Sequence, residues 1–135
     1  MNLFPNMKKI FLFALLFFAL FGCIERDGKN NFKVARIKYE VTGTASSVSI
    51  TLANPSGGTE QYDNIKPPGS YEFSVPIQRG SFNYYHALIM AQNMGSRGDI
   101  TVTIYVNGKK FRTATSSGAY VIASADGAVE YKDLE

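Results

Sequence analysis

Few side chains in this sequence invite chemistry, and the single cysteine comes first. Cys23 closes the stretch "LFGC" at residues 20–23. A thiol can act as a nucleophile, pack as a small apolar group, or take a covalent modification. His86 is the only histidine. A metal centre needs several ligands, and no spacing of carboxylates singles out partners for it, so no metal site is expected. In an apolar strand a lone histidine reads as a hydrogen-bonded core or interface residue. A Ser–His–Asp arrangement is spatial, but there is no G-x-S-x-G and nothing selects a serine. Tyr84, Tyr85, Tyr105 and Tyr120 are the candidates for a sugar- or lipid-contacting surface, set against ordinary packing at sheet edges with the hydroxyls in water. Gly57, Gly58, Gly95 and Gly98 read as hairpin glycines, with no phosphate-binding loop pattern around them. These residues carry no catalytic constellation, and the expectation is a protein that is not an enzyme and holds no cofactor.

The position of Cys23 decides among its roles. Met1 to Lys9 is short and ends in two lysines; Ile10 to Phe21, "IFLFALLFFALF", is uninterrupted apolar sequence. A basic start, an apolar stretch of roughly 7–15 residues and a small residue before the cut describe a secretory signal peptide. The run has 12 residues, whereas a spanning helix needs about 20, so a permanent transmembrane segment is disfavoured. Met7 opens "MKK" directly before the run, so translation can start at Met1 or Met7.

Leu20-Phe21-Gly22-Cys23 resembles the lipobox of bacterial lipoproteins, with Leu at −3, a small Gly at −1 and Cys at +1. The resemblance implies that the Cys23 sulfur takes diacylglycerol, that signal peptidase II cuts between Gly22 and Cys23, and that the new amine is acylated, commonly with palmitate. One acyl chain alone binds a membrane marginally, at ~0.8 kcal/mol per buried CH₂, and two or three hold it stably. With Cys23 used in this way, the rest of the chain has no disulfide and no Cys-based zinc site. The expected organisation is a signal peptide over 1–22, a lipidated tether over 23–31 and a folded domain over 32–135. The expected location is extracytoplasmic, membrane-anchored by lipid on the periplasmic side or at the cell surface.

Composition supports one packed domain. The 135 residues are 45% hydrophobic and 13% aromatic, which argues against wholesale disorder. The formal charge is +3, but without the leader 12 Lys+Arg face 11 Asp+Glu, a net of +1. The cations are scattered apart from Lys109, Lys110 and Arg112 beside a turn, so no nucleic-acid stripe is expected.

From Phe32 onward the pattern is strand after strand. Ala35, Ile37, Tyr39 and Val41 alternate with polar neighbours, as do Val48, Ile50 and Leu52. "NPSGG" (54–58) is a turn, "TEQYDNI" a short return strand and "KPPGS" (66–70) a break. Tyr71, Phe73, Val75 and Ile77 alternate again, and Pro76 marks an edge strand or a bulge. Phe82 to Asn93 is apolar on both faces and is the candidate central strand. Ile100, Val102, Ile104 and Val106 are expected to face in, with Thr101, Thr103 and Tyr105 out. Asn107-Gly108 predicts a type I′ hairpin turn returning through Lys109 to Thr115. Tyr120 to Ala125 is the last full strand, with Asp126-Gly127 turning it into a short pairing with Val129 to Lys132. Seven or eight such strands with frequent turns predict an all-β, antiparallel β-sandwich of immunoglobulin-like size, preceded by an N-terminal signal helix; a small open barrel is the alternative.

Residues 37–124 also resemble the extracytoplasmic domain of the MmpS family (mycobacterial membrane protein, small). The matching pieces, in order, are "YEVTGTASSVSITL", "PPGSYEFSV", "AQN", "GDITVTIYVNGK" and "SSGAYVIAS". The resemblance implies a small sandwich beside the membrane, partnered with a large RND-type transporter. Two departures accompany it: Val102 and the Ser124–Ala125 region stand where the family has cysteines, and a lipobox replaces its transmembrane helix. Two function classes follow. The first is a non-catalytic accessory or interaction lipoprotein of the cell envelope, contacting an envelope protein or transporter. The second is a glycan- or lipid-binding module, which requires its exposed tyrosines on one face.

Overall fold

The computed structural model describes residues 31–80 and 82–135. The expected signal helix, Gly22, Cys23 and the tether up to Asn30 lie outside the described residues.

Eight strands run in chain order: β1 (Phe32–Thr42), β2 (Val48–Ala53), β3 (Thr59–Ile65), β4 (Gly69–Gln78), β5 (Tyr84–Asn93), β6 (Asp99–Val106), β7 (Lys109–Ser117) and β8 (Ile122–Glu130). A 3₁₀ turn over Tyr131–Leu134 follows. One sheet has the order β4-β1-β6-β7 and the other β3-β2-β5-β8. All pairings are antiparallel. The predicted antiparallel sandwich is therefore the fold. Only β2–β3 and β6–β7 are hairpins; every other connection crosses between the sheets.

The core is the period-two pattern made solid. Ala35, Ile37, Tyr39 and Val41 of β1 and Ile100, Val102, Ile104 and Val106 of β6 point inward from one sheet. Val48, Ile50 and Leu52 of β2 and Ala87, Ile89 and Ala91 of β5 meet them from the other. A one-residue slip in any of these strands would reverse its faces, so burial sets the register. Asn107 and Gly108 both have positive φ, 49° and 81°, as the predicted I′ turn requires. Pro76 lies in β4, an edge strand, as its missing N–H demands.

Four details differ from the sequence reading. β8 passes through Asp126-Gly127 without turning and pairs with β5 up to Glu130. Gly127 is there for close approach: a Cβ on it would lie 2.8 Å from a ring carbon of Phe111 on β7. The same strand starts at Ile122 and not at Tyr120, whose φ of 58° is left-handed. Thr103 points to the outer face as expected but is buried, because β1 and β7 flank it and Thr113 pairs with its hydroxyl at 3.2 Å. Finally, β5 is central in its sheet but apolar-buried on one face only, and Phe82 falls before it.

The pairing defines two ends. The chain enters at one of them, where Asn31 meets Arg79, together with the β2–β3 turn, the β4–β5 connection and the C-terminal 3₁₀ turn. The far end carries the connections at 43–47, 66–68, 94–98 and 118–121.

Candidate functional site

β5 brings most of the candidate residues to the entry end. Alternation sends Tyr85 inward and Tyr84 and His86 outward. The Tyr85 ring sits edge-on to Phe73 at 5.9 Å, and Phe73 in turn lies 5.7 Å from the Tyr39 ring. The Tyr85 hydroxyl donates to the Ala53 carbonyl at 2.8 Å and lies 3.1 Å from the Asn54 carbonyl. With its proton so engaged, it accepts from the Tyr39 hydroxyl at 3.1 Å. The Tyr39 oxygen accepts from the Leu88 N–H at 3.3 Å. Burial, before any hydrogen bond, pushes both phenols above their ordinary value. They are neutral pins that hold the β2–β3 hairpin to the core.

Beside this network opens a groove of about 620 Å³. Its walls include Pro55, Pro76, Phe82, Tyr84 and His86. The β2–β3 turn on one side is shaped by Asn54, whose Oδ1 accepts from the backbone N–H groups of Ser56 and Gly58 at 3.2 and 2.9 Å. A groove this open and apolar can hold an apolar or aromatic surface. His86 is exposed on the outer face, not a core residue as the apolar strand suggested, because among the described residues no further layer covers that face of β5. Its Nε2 lies 3.6 Å from Asp126 Oδ2, and both side chains are more than half exposed. Among the described residues no hydroxyl hydrogen-bonds to His86, and no group of three His, Cys, Asp or Glu side chains could hold a metal ion.

The four candidate tyrosines are not gathered. Tyr84 is exposed at the entry end and Tyr85 is buried. Tyr105 lies on the outer face of the other sheet under Lys38, whose Nζ is 5.3 Å from its ring. Tyr120 is exposed at the far end. Of the flagged glycines, Gly57 and Gly98 have left-handed φ of 88° and 105°, but Gly95 and Gly98 belong to the β5–β6 crossover and not to a hairpin. Lys109 and Lys110 are exposed at the β6–β7 turn, and Arg112 stacks on Phe111 at 4.2 Å. Gly22 and Cys23 lie outside the described residues.

Sequence reasoning missed Phe82 as a surface group by placing it in the strand. The usable signal was Gly80 ahead of it and Asn83 behind it, which mark a turn. A second polar centre, also unflagged, lies at the far end. Asn93 is fully buried. Its Nδ2 donates to the carbonyls of Arg97 and Gly118 at 3.0 and 2.9 Å, and its Oδ1 accepts from the Gly95 N–H at 2.8 Å. One amide thus ties two connections together, which is why an Asn ends the "AQN" strand.

No protein-family model matches the chain, and no curated protein matches it.

Proposed function

We propose that this chain is a lipid-anchored extracytoplasmic lipoprotein whose sandwich is a non-catalytic accessory or interaction domain of the cell envelope. The observation that carries the reading is Leu20-Phe21-Gly22-Cys23 placed directly after the 12-residue apolar run. The first strand begins at Phe32, so the domain follows the anchor residue after a short polar stretch. The likeness of residues 37–124 to the MmpS extracytoplasmic domain supports an RND-type transporter as the partner class.

The test is Cys23→Ser. The wild-type chain incorporates labelled palmitate and enters the detergent phase; the variant does neither and keeps an uncut leader. A variant that still fractionates with membranes and detergent would sink the anchor. Crosslinking in intact envelopes tests the partner: a transporter-sized adduct is expected, and recovery of the lipoprotein alone under several crosslinkers counts against it. The second reading, a glycan- or lipid-binding module, requires its exposed tyrosines on one face, and the burial of Tyr85 and the separation of Tyr84, Tyr105 and Tyr120 count against it.

A further inference from the structure

The exposed large apolar side chains sort to the two ends of the sandwich. Phe32 (50% exposed), Val34 (54%), Phe82 (90%) and Tyr84 (59%) are at the entry end. Their ridge is set around the end of β4, where Phe32 pairs with Gln78 and Gln78 lines a pocket with Phe82 and Tyr84. Val34 pairs with Pro76, and Pro76 shares a groove wall with Phe82 and Tyr84. Solvent-exposed aromatics in a cluster mark a contact surface.

We infer that this ridge rests in the headgroup layer of the bilayer that holds the Cys23 anchor, with Phe82 as its tip. The inference builds on the lipoprotein reading. Its first support is chain length. The eight residues from Cys23 to Asn30 reach roughly 28 Å at full extension. Asn31 is tied to Arg79 by a backbone hydrogen bond at the same end as the ridge. The anchor therefore keeps Phe82 within a few nanometres of the membrane, where a weak surface affinity suffices because contact is intramolecular. The second support is side-chain type. Phenylalanine and tyrosine suit the interface, since an apolar ring buries while a hydroxyl stays wet. The third is charge. Arg79 directly follows β4 and makes no salt bridge among the described residues, so it is available to lipid phosphate. Glu130, which lies opposite Tyr84, is matched by Lys132 at 2.7 Å, and Glu135 by Lys33 at 3.7 Å.

The chain has no tryptophan, so a substitution supplies a unique reporter. The full chain carrying Phe82→Trp is purified with its lipid and reconstituted in phosphatidylethanolamine–phosphatidylglycerol vesicles doped with brominated phosphatidylcholine. Met94→Trp, at the far end and 47% exposed, is the control. The expected result is a blue-shifted emission from Phe82→Trp that is lost as brominated lipid increases, with the Met94→Trp emission unchanged. Flotation with vesicles and the mass of Cys23 are read in parallel. Vesicle-bound, lipidated protein with an unquenched Phe82→Trp overturns the ridge contact and leaves the anchor standing. Equal quenching of both reporters also overturns it, because the domain then has no preferred end. An unmodified Cys23 with no flotation removes the anchor and the inference together.

Discussion

The Tyr39 hydroxyl sits 3.1 Å from the Tyr85 hydroxyl, joining a strand of one sheet to a strand of the other inside the core. Through Tyr85 the link continues to the carbonyl of Ala53, at the last residue of β2. Two neutral phenols thus close the entry end of the sandwich with hydrogen bonds where apolar side chains close the middle.

Tyr85→Phe removes the donor to Ala53 and leaves a buried carbonyl short of a partner. The expected loss is about 1–3 kcal/mol in urea unfolding, with an unchanged m-value. Tyr39→Phe should cost a similar amount. The double variant should cost less than the two losses together, since Tyr85→Phe alone leaves the Tyr39 hydroxyl proton without its acceptor. Strict additivity would show that the two hydroxyls do not act as a pair.

Asn93→Ala empties the amide that serves three backbone groups, and the expected cost is on the order of 2–4 kcal/mol. Asn93→Asp should be at least as damaging. A carboxylate there would face the Arg97 and Gly118 carbonyls, which only a donor can satisfy. Thermal melts of the two variants order them, and an Asp variant as stable as wild type would contradict the assigned bonds.

Acid should weaken the far end first. The Thr44 side chain and backbone hydrogen bonds hold the Asp99 carboxyl below its ordinary value, and the Ser49 hydroxyl does the same for Asp63. A carboxylate with a depressed folded pKa adds stability above its unfolded pKa, near ~4. That stability drains away as pH falls through the folded value. Stability measured against pH should therefore decline below about 4. Asp99→Asn should flatten part of the decline, and an unaltered acid limb would rule out the Asp99 contribution.

Two glycines make a controlled comparison. Gly43 has φ of 130°, and a Cβ there would collide with the Asp99 carbonyl oxygen. Gly57 has φ of 88° with no atom within 4 Å of that point. Gly57→Ala should cost roughly 1–2 kcal/mol, for backbone conformation alone. Gly43→Ala should cost clearly more, because the clash is with backbone that cannot swing aside. Equal melting temperatures for the two variants would contradict this geometry.

Most of the strand framework was legible in the sequence because it rests on local rules. The alternation around Ile37 and Ile50, the Asn107-Gly108 turn and the edge position of Pro76 each follow from a few adjacent residues. The misread positions depend on neighbours distant in sequence. Gly127 looks like a turn until Phe111 is seen lying against it. His86 looks like core until the outer face of β5 is found uncovered. The candidate site suffered most, since the places of Tyr84, Tyr105 and Tyr120 are set by which sheet and which end each strand reaches. The entry-end ridge of Phe82, Tyr84 and Val34 unites three strands or connections that no single window spans.

The crossovers between sheets have a consequence for biogenesis. β1 takes its central neighbour from β6, with Ile37 opposite Val106, and β5 takes its outer neighbour from β8. Contact order is therefore high, and folding belongs in roughly the millisecond-to-second range of β-sandwiches. Among the described residues no N-terminal fraction owns a complete core, so a partly synthesised molecule has no finished sandwich to fold into. Formation of the sandwich therefore waits for β8, the last strand to be made.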